Sequence, residues 1–155
     1  MCGILFSSML NAQNNKITPE FAYIDEHLDL IVPDIRYAGN HNFVGKPVIG
    51  YEKPKAILTR EAIKHLKQAS IYFLAKGYVF KVFDAFRPQR AVDQFIDWSK
   101  ISEDTLMKSE FYPGLDKKKL FALGYIATKS GHSRGSTIDL TLVDLKTGKE
   151  LDMGG

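Results

Sequence analysis

Residues Tyr78 to Phe86 (YVFKVFDAF) constrain the fold more tightly than any other stretch: apart from Lys81, Asp84 and Ala85, every position is β-branched or aromatic. Such side chains suit a pleated, packed surface, so the segment predicts a strand buried on both faces except near Lys81. Pro88 follows at once. Its fixed φ and missing N–H suit the first position of a helix. Ala91, Val92, Phe95, Ile96 and Trp98 give that helix an apolar side. Before the strand, Thr59 predicts an N-cap, with Ile63, Leu66, Ser70, Phe73 and Leu74 near helical spacing and Gly77 as a left-handed stop. The strand is therefore expected between two helices.

The rest of the chain is more broken. Ile35 to Tyr51 mixes Gly, Asn, Pro and aromatics and predicts an extended segment with turns. Residues 101–116 read as polar and irregular, and Lys117 to Leu123 as a short helix ended by Gly124. Tyr125 to Thr128 and Thr137 to Asp144 predict strands, and Lys146-Thr147-Gly148 turns the chain toward Lys149 to Met153. Short strands among helices predict an α+β fold: a small, mostly antiparallel sheet with flanking helices.

A chain of 155 residues, 45% apolar and 25% charged, suits one domain. We place it at residues 17–155, after an apolar leader at residues 1–16. Gly3 to Leu10 with Ala12 resembles a signal segment, but no Lys or Arg precedes it. Both a cytoplasmic and a periplasmic location stay open. No apolar run approaches the roughly 20 residues of a membrane span. A net charge of +3 and short basic runs, such as Lys117 to Lys119, read as solvated faces and do not point to nucleic acid. Cys2 is the single cysteine, so an internal disulfide and a Cys-rich zinc site are excluded. Any metal must be held by His, Asp or Glu.

Ser130-Gly131-His132-Ser133-Arg134-Gly135-Ser136-Thr137-Ile138-Asp139 carries the strongest chemical signal. Two ligands of one zinc ion must each lie about 2.0–2.2 Å from it. Seven residues of straight strand would separate His132 and Asp139 by about 23 Å, so the chain must double back. Gly135 permits this, because it takes a positive φ without steric cost. A surface histidine and a loop-capping aspartate would share the same pattern. Glu61 and His65, four apart on one helix face, read as an exposed ion pair. The second signal is Asp84-Ala85-Phe86-Arg87-Pro88-Gln89-Arg90. Proline stiffens the residue before it. Arg87 thus suits a clamp for a carboxylate or a developing oxyanion, or equally a structural partner for Asp84.

Taken together, the motifs resemble the D-alanyl-D-alanine dipeptidases, zinc enzymes of the VanX type. The matching pieces run in family order: Ile35-Arg36-Tyr37-Ala38, Asn42 to Pro47 with Gly50-Tyr51, Asp84 to Val92, Gly124 to Ala127, Ser130 to Leu142, Thr147-Gly148 and Met153-Gly154. The resemblance implies one zinc ion, with His132 and Asp139 as two of its ligands. It also implies that Arg87 stabilises the tetrahedral intermediate, and that Ser130 and Tyr37 lie near the bound dipeptide. The implied reaction is hydrolysis of D-Ala-D-Ala to two D-alanines.

The family's third ligand and its catalytic glutamate form a Glu-x-x-His motif beyond the aspartate, and no such motif occurs in these 155 residues. The expectation is a domain without its C-terminal strands: a fragment of a longer enzyme, a truncated product, or a site completed by another chain. The alternative is a non-catalytic binding module for D-Ala-ended cell-wall peptides.

Overall fold

The computed structural model describes residues 18–154, so the leader expected at residues 1–16 lies outside the described residues. The fold is α+β. Its elements are β1 (Phe21–Tyr23), β2 (Ile31–Pro33), β3 (Ile57–Thr59), α1 (Arg60–Leu74), β4 (Tyr78–Asp84), α2 (Gln89–Lys100), α3 (Lys108–Phe111) and β5 (Asp139–Asp144). Single 3-10 turns at Ile24–Glu26, Arg36–Ala38, Lys117–Lys119 and Gly131–Arg134 join them.

β4 is the centre of a three-stranded sheet of order β2-β4-β5, parallel to β2 and antiparallel to β5. β1 and β3 form a separate antiparallel pair. The β4–β5 ladder pairs Val82 with Leu140 and then Asp84 with Asp139, leaving Phe83 as an extra residue on β4. Such a bulge bends the strand and re-aims the side chains beyond it.

The two long helices form as their sequences predict. The Thr59 hydroxyl accepts from the Ala62 N–H and caps α1, and α2 starts directly after Pro88. α2 buries Ala91, Val92, Phe95 and Trp98. Phe95 stands 4.8 Å from Phe43 and 5.1 Å from Tyr37 between ring centroids, and Phe43 lies 5.1 Å from Trp98. Each such pair adds about 0.5–1.5 kcal/mol beyond its buried area. On the other helix, Phe73 of α1 meets Phe80 of β4 edge-on at 5.7 Å.

Asn42, 1% exposed, organises the glycine-rich segment before α1. Its amide nitrogen faces the carbonyls of Arg36, Gly39 and Lys46, while its oxygen accepts from the Val44 and Gly45 N–H groups. One side chain thus replaces the backbone pairing that a strand would have supplied.

Several boundaries differ from expectation. Tyr125 to Thr128 is not a strand. Gly124 takes φ +78, and the N–H groups of Tyr125 and Ile126 both turn back to the Leu120 carbonyl. Lys117 starts only a 3-10 turn, because its ammonium is drawn inward to the carbonyls of Ile101 and Asp104, 3.7 Å from the centre of the Trp98 ring. The stretch read as irregular holds the short α3. β5 begins at Asp139 rather than Thr137, since the preceding residues are still leaving the Gly135 reversal.

Candidate metal and peptide site

The reversal between His132 and Asp139 is a single 3-10 turn, Gly131–Arg134, closed by Gly135 at φ +71. The Ser130 hydroxyl caps it by accepting from the His132 N–H at 3.2 Å. Gly135 is tied at both ends: its N–H donates to the His132 carbonyl, and its carbonyl accepts from the Thr59 N–H at 2.8 Å. A Cβ on Gly135 would stand 2.2 Å from a ring carbon of Phe21. Only glycine therefore satisfies both the backbone angle and the packing.

This turn aims the imidazole of His132 back at the end of β4. Its Nδ1 lies 2.8 Å from the Ala85 carbonyl. A carbonyl only accepts, so Nδ1 carries a proton, and in the neutral imidazole Nε2 presents its lone pair. Nε2 faces Asp139 Oδ1 at 3.4 Å. Two ligands about 2.1 Å from one tetrahedral zinc ion stand about 3.4 Å apart. A fixed tautomer, a carboxylate and this spacing fit zinc. With Asp84, these residues form a group whose potential ligand atoms all lie within 4.8 Å of one another.

Asp84 has a different place in the group. Its Oδ1 accepts from the Tyr51 hydroxyl at 2.7 Å and the Ala85 N–H at 2.9 Å. Its Oδ2 accepts from Arg87 Nε at 3.0 Å and Nη2 at 2.7 Å. Four donors occupy both oxygens, and the imidazole nitrogen that approaches Asp84 is Nδ1, at 3.5 Å, not Nε2. Asp84 is therefore a hub that holds Arg87 and borders His132, rather than a ligand beside Nε2. Burial raises its pKa above the usual carboxylate value, against the pull of Arg87, Tyr51 and His132. The Tyr51 hydroxyl is likewise pushed up, by burial and then by Asp84.

Arg87 pairs with Asp84, as its structural reading expects, and its Nη2 also lies 3.9 Å from Asp139 Oδ2. The guanidinium sits over the rings of Tyr37 at 5.2 Å and Phe95 at 5.4 Å. Burial alone would lower its pKa, but Tyr37 and Asp84 outweigh that and hold it above its ordinary value. Burial also pushes Tyr37 up to about 12. At the turn, burial would lower His132, yet Asp139 and the Ala85 carbonyl bring it above its usual 6.5. His132 in turn holds Asp139 below the usual 3.8.

Beside these groups opens a cavity of about 460 Å³. Arg87, Asp139, Ser130 and Lys129 line it together with Tyr37, Phe43, Phe95, Phe111 and Tyr112. The five site residues expected from the sequence thus gather at one place: Tyr37, Arg87, Ser130 and Asp139 on the cavity wall, and His132 against Asp139. Glu61 and His65 are an exposed pair at 3.1 Å on α1. The Asp84 hub and its Tyr51 donor were missed as a unit. The signal available was the charge of Asp84 inside an otherwise apolar strand, which demands several partners.

Residues 19–155 match the family described as D-ala-D-ala dipeptidase, Peptidase M15. The chain belongs to this M15 dipeptidase family. It is 44% identical to a D-alanyl-D-alanine dipeptidase of Enterococcus faecalis over 134 residues, covering 86% of this chain and 66% of that protein. It is 42% identical to one of Streptomyces coelicolor over 139 residues, 90% of this chain and 69% of that protein. With one of Escherichia coli the identity is 30% over 131 residues, 82% of this chain and 57% of that protein. The chain spans about two thirds of the length of the curated relatives it matches. The M15 match covers the whole β-sheet and the cavity described above.

Proposed function

We propose that this protein is a zinc-dependent dipeptidase that hydrolyses D-Ala-D-Ala to two D-alanines. The observation that carries the proposal is the 3.4 Å approach of His132 Nε2 to Asp139 Oδ1 at the edge of a cavity that also holds Arg87. His132 and Asp139 would hold the metal, which when bound supplies Lewis acidity at a peptide carbonyl.

The chain's own residues do the rest of the work assigned to them. The Ala85 carbonyl keeps the His132 proton on Nδ1, leaving Nε2 free to ligate. Arg87, fixed by Asp84, offers its remaining N–H groups to the negative charge that develops on the carbonyl oxygen during attack. Fixed donors of this kind need no rearrangement at the moment of reaction. Tyr37 flanks the guanidinium and, with Ser130, lines the space where the dipeptide would lie.

Asp139 is the single carboxylate among the described residues lining the cavity, and it faces the imidazole. No second carboxylate stands among those lining residues to take up the proton of an attacking water. This favours, as a second reading for these 155 residues taken alone, binding of D-Ala-ended peptides without turnover.

The deciding experiment measures bound zinc and D-Ala-D-Ala hydrolysis in the longest form of the protein, with His132→Ala and Asp139→Ala beside it. Loss of both properties in both variants is expected, and full turnover in either would reject the assignment. Arg87→Ala is expected to lower kcat far more than it raises KM, as an interaction made in the transition state requires.

A further inference from the structure

Two cationic side chains line the cavity, Arg87 and Lys129, and they are not equivalent. Arg87 is already assigned: two of its nitrogens hold Asp84, Asp139 lies 3.9 Å away, and its remaining N–H groups are those offered to the carbonyl oxygen under attack. Lys129 has no carboxylate within 4 Å among the described residues, and its side chain is exposed at the cavity wall. Its backbone is nonetheless well placed. The preceding carbonyl, of Thr128, accepts from Gln89 at the start of α2, and the following residue, Ser130, caps the turn that carries His132. The lysine is thus held between the helix and the metal turn with its charge unanswered. Most of the remaining wall is aromatic or aliphatic, including Phe43, Phe95, Phe111 and Leu115. Such a wall holds small apolar side chains but offers an anion nothing.

We infer that Lys129 recognises the free C-terminal carboxylate of the bound peptide and so restricts the site to peptides that end there. This rests on the reading of the cavity as a dipeptide site. An unpaired ammonium meeting a carboxylate forms a charge-assisted hydrogen bond, stronger than a neutral one. Replacing the carboxylate by a carboxamide removes the charge while keeping the shape. Lys129 is exposed, so its substitution should leave the fold intact.

Calorimetry on the 155-residue chain tests this with D-Ala-D-Ala and with its C-terminal amide. Wild-type protein is expected to prefer the carboxylate form by about tenfold, and the preference should shrink as salt is raised. Lys129→Gln should bring the two ligands to within about twofold by weakening only the carboxylate form, and Lys129→Arg should restore most of the preference. Dipeptide binding with an undiminished carboxylate preference in Lys129→Gln overturns this inference and leaves the dipeptide reading standing. No dipeptide binding by wild-type protein overturns both.

Discussion

Asp84 and Asp139 stand opposite each other across the β4–β5 ladder, one residue beyond the bulge at Phe83. Two carboxylates in register would repel if nothing lay between them. Here Arg87 reaches both, at 2.7 Å from Asp84 and 3.9 Å from Asp139, and His132 lies beside both as well. The two acids have separate tasks: one is buried and saturated with donors, the other half-exposed and turned to the imidazole.

Breaking the buried member should damage the fold first. Asp84→Ala leaves the Arg87 guanidinium and the Tyr51 hydroxyl without their acceptor in a site where Asp84 is 1% exposed. A loss of about 3–5 kcal/mol is expected, as for other buried pairs that lose one partner. Urea unfolding of wild type and variant, at fixed pH without metal, measures it. A loss near zero would show that Asp84 is not the hub described.

The exposed member should matter for metal rather than for folding. Asp139→Ala is expected to weaken zinc binding by about a hundredfold or more, while the metal-free protein loses only the modest, pH-dependent share that the ion pair with His132 contributes. Competition against a chromophoric chelator gives the affinity, and an unchanged value would remove Asp139 from the site.

The metal-free pair also predicts a pH dependence. His132 is raised above 6.5, so its contribution is fully present below that value and is lost as pH rises through the folded-state value. Asp139 is lowered below 3.8, so its contribution is present above that value and is lost as pH falls through the folded-state value. The pair therefore supports the fold most between the two ordinary values and fades on either side. Zinc requires the neutral imidazole, so adding it should reverse the upper limb, and the gain in Tm on adding zinc should grow from pH 5.5 to 7.5. Thermal melts with and without zinc across this range test both signs. A zinc-induced gain in Tm that does not grow with pH would contradict the ligand role.

The turn can be tested apart from the metal. Gly135→Ala forces a left-handed residue, worth about 1–2 kcal/mol, and drives its new methyl into Phe21. Adding Phe21→Ala should relieve the collision but not the backbone cost. The pair of substitutions should then destabilise by less than the sum of the singles, as a double-mutant cycle from denaturant midpoints would show. Strict additivity would mean that the contact is not felt.

Much of this was legible in the sequence where the signal is local. Tyr78 to Asp84 forms a strand because its own side chains demand one, and Thr59 and Pro88 mark the helix starts by their own chemistry. β1, β2 and β3 were not legible. Each is three residues long and is extended because a partner strand pairs with it, which no window of neighbours encodes. Tyr125 to Thr128 misled for the opposite reason: its β-forming residues follow a left-handed glycine that points the backbone back on itself. At the site, the His-to-Asp spacing and the Gly135 reversal could be read directly. The bulge at Phe83 could not, and it is the bulge that brings Asp139 into line with Asp84.

The seat that Phe21 takes over Gly135 has a consequence for how the protein comes into being. More than a hundred residues separate the two, so the turn that carries His132 cannot settle until β1 has docked against it. Long-range closures of this sort are slow. A newly made chain should have its helices well before this turn is set, and zinc, if His132 and Asp139 hold it as proposed, would serve as a late witness that β1 has come home.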